Sequence, residues 1–281
     1  MGVIRPGGEN FRTQPGTNRG LTRDHTIARA STTAQRYNHT LPANKKERKE
    51  SPYEKEAHLV EFAQHLLPQF FAPEGAACFV EREVGVGRSI ADLVLLIRRP
   101  DLPWPALSTI SVAESVILAA LRQWGPTRID LLEIRCGFER HGLRQGALKR
   151  LTKSGTLLRE RGGRVTLAPE YVQGTKIVAI EAKLTKWRDA LDQAVVYRRY
   201  ADEAFVLLPA QNADPAMRAR ADFEDAGVGL LVVDGGRIVT LFDAIASTKH
   251  DWRRDYVYFR LLSSEKRPTG QWCQLPTHQT I

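Results

Sequence analysis

The sequence predicts an α/β protein: a mixed sheet flanked by helices, interrupted by a separate basic segment. Three observations predict it. Residues 90–97 and 177–182 are nearly continuous apolar runs that suit buried strands. Apolar residues recur at helical spacing at Ala57, Val60, Ala63 and Leu67, and again at Trp187, Ala190, Leu191, Ala194 and Ala201. Between them, residues 103–172 change character and read as helices with a basic outer face, followed by a hairpin. The boundaries that follow are a basic tail at 1–50, an α/β domain in two pieces at 51–102 and 173–250, an inserted domain at 103–172, and a C-terminal tail at 251–281.

The chain has 281 residues, enough for one large or two modest domains. Lys and Arg number 41 against 32 Asp and Glu, and the net charge of +9 favours a polyanionic partner such as nucleic acid. No apolar run reaches the ~18 residues that a membrane helix needs, and the N-terminus has no apolar signal core. The expectation is a cytoplasmic protein with no membrane partner. Cys78, Cys136 and Cys273 are scattered and odd in number, which argues against a disulfide framework or a structural zinc.

In chain order, a helix is expected from about Ser51-Pro52, where Ser can cap and Pro suits the first turn. Glu56 falls inside its apolar stripe, so an inward carboxylate there needs a partner. His58, Glu61 and His65 share a face but lack the zinc-protease spacing. Residues 78–84 read as a strand and Gly85-Val86-Gly87 as a turn. Residues 90–97 are a second strand, with Asp92 as an acid near its start. Helices are expected at 112–121, capped by Ser111, at 127–136 and at 143–151. Two short strands then surround Gly162-Gly163. The strand 177–183 ends in Glu181-Ala182-Lys183, whose two charges share a face. An amphipathic helix, a strand at 204–208, a helix at 214–226 and a hairpin turning at Gly235-Gly236 complete the domain.

The constellation is chemical. Two carboxylates from neighbouring strands can bind a hard divalent cation such as Mg²⁺. A lysine beside it can orient a water or neutralise charge on a phosphate, as in-line attack on a phosphodiester requires.

Two resemblances follow. Residues 147–155, Ala-Leu-Lys-Arg-Leu-Thr-Lys-Ser-Gly, ahead of the hairpin resemble a winged helix-turn-helix module. That resemblance implies a third helix in a DNA major groove and a wing on the backbone. Arg144, Lys149, Arg150, Lys153, Arg161 and Arg164 would then face nucleic acid; a protein-docking role is the alternative. Ala91-Asp92, Glu181-Ala182-Lys183 and Gln193-Ala194-Val195-Val196-Tyr197 resemble the PD-(D/E)XK, or restriction-endonuclease-like, nuclease superfamily. This resemblance covers roughly residues 52–100 and 174–245 and implies a restriction-endonuclease-like sheet with a winged-helix insertion. It implies metal held by Asp92, Glu181 and the Ala182 carbonyl, with Mg²⁺ as cofactor and Mn²⁺ as substitute. Lys183 would be the catalytic cation and Glu56 a helix-borne supporting acid, while Gln193 and Tyr197 would orient substrate. The implied activity is metal-dependent hydrolysis of DNA, acting as a homodimer or within a larger nucleic-acid-processing complex. The alternative is a DNA-binding regulator or complex subunit that does not cleave.

Overall fold

The computed structural model describes residues 53–99, 101–102, 107, 109–138, 146–172, 175–249 and 251–264. The expected tail at 1–50, Arg144 and residues 265–281 lie outside them.

The first helix, α1 (Glu56–Phe71), begins at Glu56 rather than near Ser51-Pro52, and places that acid in its first turn. A carboxylate there is favoured by the N-terminal end of the helix dipole. The inward stripe is Leu59, Val60, Ala63 and Leu67. Each contributes roughly 1–3 kcal/mol of burial, the alanine least. β1 (Ala77–Val86) and β2 (Ser89–Arg98) form an antiparallel hairpin. Val86 pairs with Ser89, so the turn is Gly87-Arg88, one step later than the glycines suggested. Gly87 supplies the positive φ, 67°, that a two-residue hairpin turn favours.

The chain then leaves the sheet. α2 (Val112–Trp124) starts with a reciprocal cap: Ser111 Oγ accepts from the Glu114 N–H, and the Glu114 carboxylate accepts from the Ser111 N–H at 2.7 Å. Thr127 and Arg128, expected to open a helix, instead form β3 (Thr127–Arg128), paired with Val165 and Arg164. Helices α3 (Ile129–Cys136) and α4 (Leu148–Lys153) follow, then β4 (Leu157–Arg159) and β5 (Arg164–Leu167). These strands make a small three-stranded sheet in the order β3-β5-β4. After the short α5 (Pro169–Val172), the chain rejoins the large sheet as β6 (Thr175–Ala182). The last residue of β2, Arg98, pairs with the first of β6, Thr175.

α6 (Trp187–Tyr197), β7 (Glu203–Pro209), α7 (Asp214–Arg218), α8 (Arg220–Ala226), β8 (Gly229–Asp234) and β9 (Arg237–Phe242) complete the sheet. The helix expected at 214–226 is two helices, broken at Ala219. The six-stranded order is β1-β2-β6-β7-β8-β9, with β6-β7 and β7-β8 parallel and the other pairs antiparallel. Alternation divides the core. Leu93, Leu95, Val178, Ile180 and Leu207 meet α1 on one face; Val94, Leu96, Ile177, Ala179 and Val206 join the apolar face of α6 on the other.

The stretch expected as a C-terminal tail includes a helix, α9 (Arg253–Ser264), with Val257, Phe259 and Leu261 buried. Its Asp255, 1% exposed, accepts from Arg122 of α2 at 2.9 Å and from the Tyr171 hydroxyl of α5. Arg260 donates to Gly85 O of β1 at 2.9 Å, and Arg254 pairs with Asp202 at 2.8 Å. The fold is therefore mixed α/β, with a mainly antiparallel sheet flanked by helices. Among the described residues no helix is long and apolar enough to cross a membrane.

Candidate active site

The β2–β6 ladder runs inward from Arg98↔Thr175 and stops at Leu93↔Ile180. The next pair would be Asp92 and Glu181. Instead the Asp92 side chain takes the ladder's place, its Oδ2 accepting from the Ala182 N–H at 2.9 Å. This leaves two carboxylates on adjacent strands where the sheet opens. Across β1, Glu83 sits between the pairs Arg82↔Leu93 and Val84↔Ala91, opposite Asp92. Glu83 has φ 52°, the only positive φ at a non-glycine among the described residues. Such backbone strain of about 1–3 kcal/mol persists where surrounding structure over-determines it.

Lys183 stands at the centre. Its Nζ lies 2.8 Å from Glu181 Oε1, 3.5 Å from Glu56 Oε2 and 3.8 Å from Asp92 Oδ2, and donates to Ala182 O at 3.3 Å. The Lys183 backbone N–H donates to Leu207 O, which fixes the turn out of β6. The Glu181 side chain is 2% exposed, Lys183 16%, Asp92 27% and Glu56 45%, so the cluster grades from core to solvent. Behind it, the buried Tyr197 hydroxyl lies 2.6 Å from Glu181 Oε2 and 2.7 Å from Ile90 O.

Electrostatics follow the burial. Desolvation pushes Asp92 above the ordinary carboxylate value; the Ala182 N–H and Lys183 oppose the shift, and the charges of Glu56 and Glu83 add to it. Glu181 is also raised, mainly by burial, against hydrogen bonds from Lys183 and Tyr197. Burial works against the Lys183 ammonium, yet Glu181, Asp92 and Glu56 together outweigh it and raise its pKa. A raised acid and a raised base are compatible because three carboxylates share one ammonium. Burial followed by the Glu181 hydrogen bond holds Tyr197 far above the usual phenol range, so it remains a hydroxyl.

Of the residues expected from the sequence, Glu56, Asp92, Glu181, Lys183 and Tyr197 come together. Gln193 is exposed on α6. Lys149, Lys153 and Arg161 are exposed. Arg150 has a different occupation: its guanidinium is paired with the buried Glu114 carboxylate and donates to Thr109 O at 2.9 Å. Arg164 donates to Pro126 O at 2.8 Å. An open groove of about 460 Å³ beside them is lined in part by Arg128, Arg159 and Gly162.

Among the described residues no three Asp, Glu, His or Cys side chains are grouped to hold a metal. The donors present are nonetheless hard oxygens: Asp92, whose Oδ1 makes no hydrogen bond among the described residues, Glu181 and the Ala182 carbonyl. Mg²⁺ suits such a set, because it needs only one or two carboxylates and keeps its waters.

No protein-family model matches the chain, and no curated protein matches it. A solved structure of a protein of unknown function from Silicibacter pomeroyi is 21% identical, over 43% of this chain and 82% of its own, with a TM-score of 0.24. A likeness at that score carries no argument.

Proposed function

We propose that the chain is a Mg²⁺-dependent DNA nuclease with a restriction-endonuclease-like core and an inserted winged helix. One observation carries the reading: carboxylates from α1, β2 and β6 converge on the single ammonium of Lys183. A buried carboxylate needs a charged or hydrogen-bonding partner, but three carboxylates around one ammonium exceed what stability asks. The arrangement leaves negative charge uncompensated at the open end of a sheet, which suits a divalent cation.

Each residue has a role in this reading. The Ala182 N–H orients Asp92, and Tyr197 orients Glu181, so both carboxylates are held before any cation binds. Bound Mg²⁺ would supply a Lewis acid and a water of lowered pKa. Lys183 would leave its carboxylates to neutralise charge developing on a non-bridging phosphate oxygen. Glu56, half-exposed at the mouth, would orient the attacking water. Gln193, on the exposed side of α6, would touch substrate. Lys149 and Lys153 of α4 and Arg161 of the wing would contact the DNA backbone.

The test is cleavage of plasmid and of linear duplex DNA with Mg²⁺, with Mn²⁺ and with EDTA, native chain beside Asp92→Ala. Metal-dependent products that vanish in the variant support the nuclease. Salt-sensitive binding of DNA by both chains, with no product from either, supports a regulator on the same scaffold.

A further inference from the structure

The β1–β2 hairpin runs past the candidate site. β2 pairs with β6 only as far as Leu93, yet it pairs with β1 through Ala91, Ile90 and Ser89, opposite Val84, Gly85 and Val86. The tip of the hairpin therefore projects beyond Asp92 and Glu181. One face of it is anchored. Val84, Val86 and Ala91 are buried in the core that α6 and α9 share. Arg260 of α9 donates to Gly85 O at 2.9 Å, Ser89 Oγ donates to Val86 O at 3.0 Å, and the Tyr197 hydroxyl lies 2.7 Å from Ile90 O. The other face is bare. Alternation from the buried Ala91 puts the Ile90 side chain there, and its cross-strand partner, Gly85, has no side chain to cover it. Helix α1 covers this face of the sheet, but it starts at Glu56 beside Lys183 and runs away from the tip, ending at Phe71 near Lys176 at the far end of β6. Ile90 is left 60% exposed.

An isolated exposed aliphatic residue needs no explanation of its own; its surroundings supply one here. Arg82, paired with Leu93 and so on the same face, and Arg88 in the turn are both exposed, against one exposed acid, Glu83. An aliphatic side chain between guanidiniums complements DNA, whose phosphates flank stacked base faces. Isoleucine is among the side chains that enter between base steps as wedges. Two residues of strand separate Ile90 from Asp92, about 7 Å, the length of about two nucleotide steps. Resting on the nuclease reading above, we propose that Ile90 is a wedge that opens a base step beside the scissile phosphate. The site then prefers duplex that is already unpaired or easily unstacked near the cut.

The experiment compares the native chain with Ile90→Thr, which keeps a β-branched residue in the strand, and with Ile90→Leu, which keeps an apolar wedge. The substrates are a fully paired duplex and the same duplex with a block of mismatches. Ile90→Thr should leave the melting midpoint within about 2 °C. It should cut the paired duplex about ten- to hundredfold more slowly and the mismatched one at the native rate, and Ile90→Leu should restore the paired rate. Binding is read without cleavage in the Asp92→Ala background, on paired duplex carrying 2-aminopurine at its adenines. Fluorescence should rise with Ile90 present and not with Ile90→Thr. Equal slowing on both substrates, or an equal rise for both residues, overturns the wedge. A loss of self-association in Ile90→Thr, seen by light scattering, also overturns it, because Ile90 then meets a second copy of the chain. If the native chain cuts nothing, the nuclease reading falls and the fluorescence alone decides the wedge. If it cuts and Ile90→Thr matches it on both duplexes, only the wedge falls.

Discussion

Lys183 is the residue on which the site's charge depends. Replacing it by Ala should cut kcat about 10²–10³-fold, the loss typical of removing one transition-state charge partner. Asp92→Ala should do the same. On the nuclease reading, DNA affinity should stay within a few-fold for both, because phosphate contacts away from the site would carry most of the binding; single-turnover cleavage beside equilibrium binding checks this. The pH dependence has a definite sign. The folded pKa of Lys183 is raised above its ordinary 10.5, so its stabilisation is full below that value and is lost as pH rises through the folded pKa. Urea midpoints of the native chain should therefore fall faster than those of Lys183→Met above about pH 10.5. Asp92 is the opposite kind of group. Its carboxyl is raised by burial, so the stability of its protonated form is present below 3.8 and is lost as pH rises through the raised value. Relative to Asp92→Asn, the native chain should lose stability on going from acid to neutral pH. A native-minus-variant difference that grows with pH would sink this account.

At the scale of elements, Arg150 and its neighbours separate folding from binding. Arg150 balances the buried Glu114 that caps α2, so Arg150→Ala should destabilise the chain. Lys149→Ala and Lys153→Ala, both exposed, should leave stability within ~0.5 kcal/mol and, if the proposed DNA contacts hold, each reduce the salt slope of DNA binding by about 0.9. Denaturant melts and a salt titration of affinity distinguish the two classes. The α9 helix makes a stronger demand. Asp255→Ala breaks a buried pair shared by Arg122 and Tyr171 and should cost about 3–5 kcal/mol. Much of this element-level picture could be read from the sequence. Apolar runs interrupted by single charges marked β2 and β6, and helical spacing marked α1 and α6. What could not be read was what depends on distant partners. Lys149 and Arg150 look alike until Glu114, far back along the chain, is brought beside one of them. Glu83 and Glu81 look alike until φ distinguishes them. Ile90 resembles any strand isoleucine until the start of α1 is seen to leave it uncovered.

For the whole molecule, the nuclease reading predicts coupling between metal and fold. Mg²⁺ that binds the native state should stabilise it, by about 2.7 kcal/mol at a hundred times its dissociation constant. The melting midpoint should rise with Mg²⁺ for the native chain and not for Asp92→Ala. A midpoint indifferent to Mg²⁺ and Mn²⁺ in both would remove the cation from the account, whatever the cleavage assay shows.

The pairing of Arg98 with Thr175 has one more consequence. In ladder terms β2 and β6 are the two arms of a β-hairpin, and residues 99–174 are its loop. Directly paired residues on antiparallel strands sit about 4.5–5.5 Å apart, so the inserted segment leaves and re-enters the sheet through almost one point. A short turn such as Asn-Gly could bridge that point, and the deleted chain should keep the Asp92–Glu181 geometry if α9 tolerates losing Arg122 and Tyr171. Any other segment whose own ends meet at that spacing satisfies the backbone geometry of the β2–β6 junction, and it must also supply Asp255 with the partners that Arg122 and Tyr171 give it.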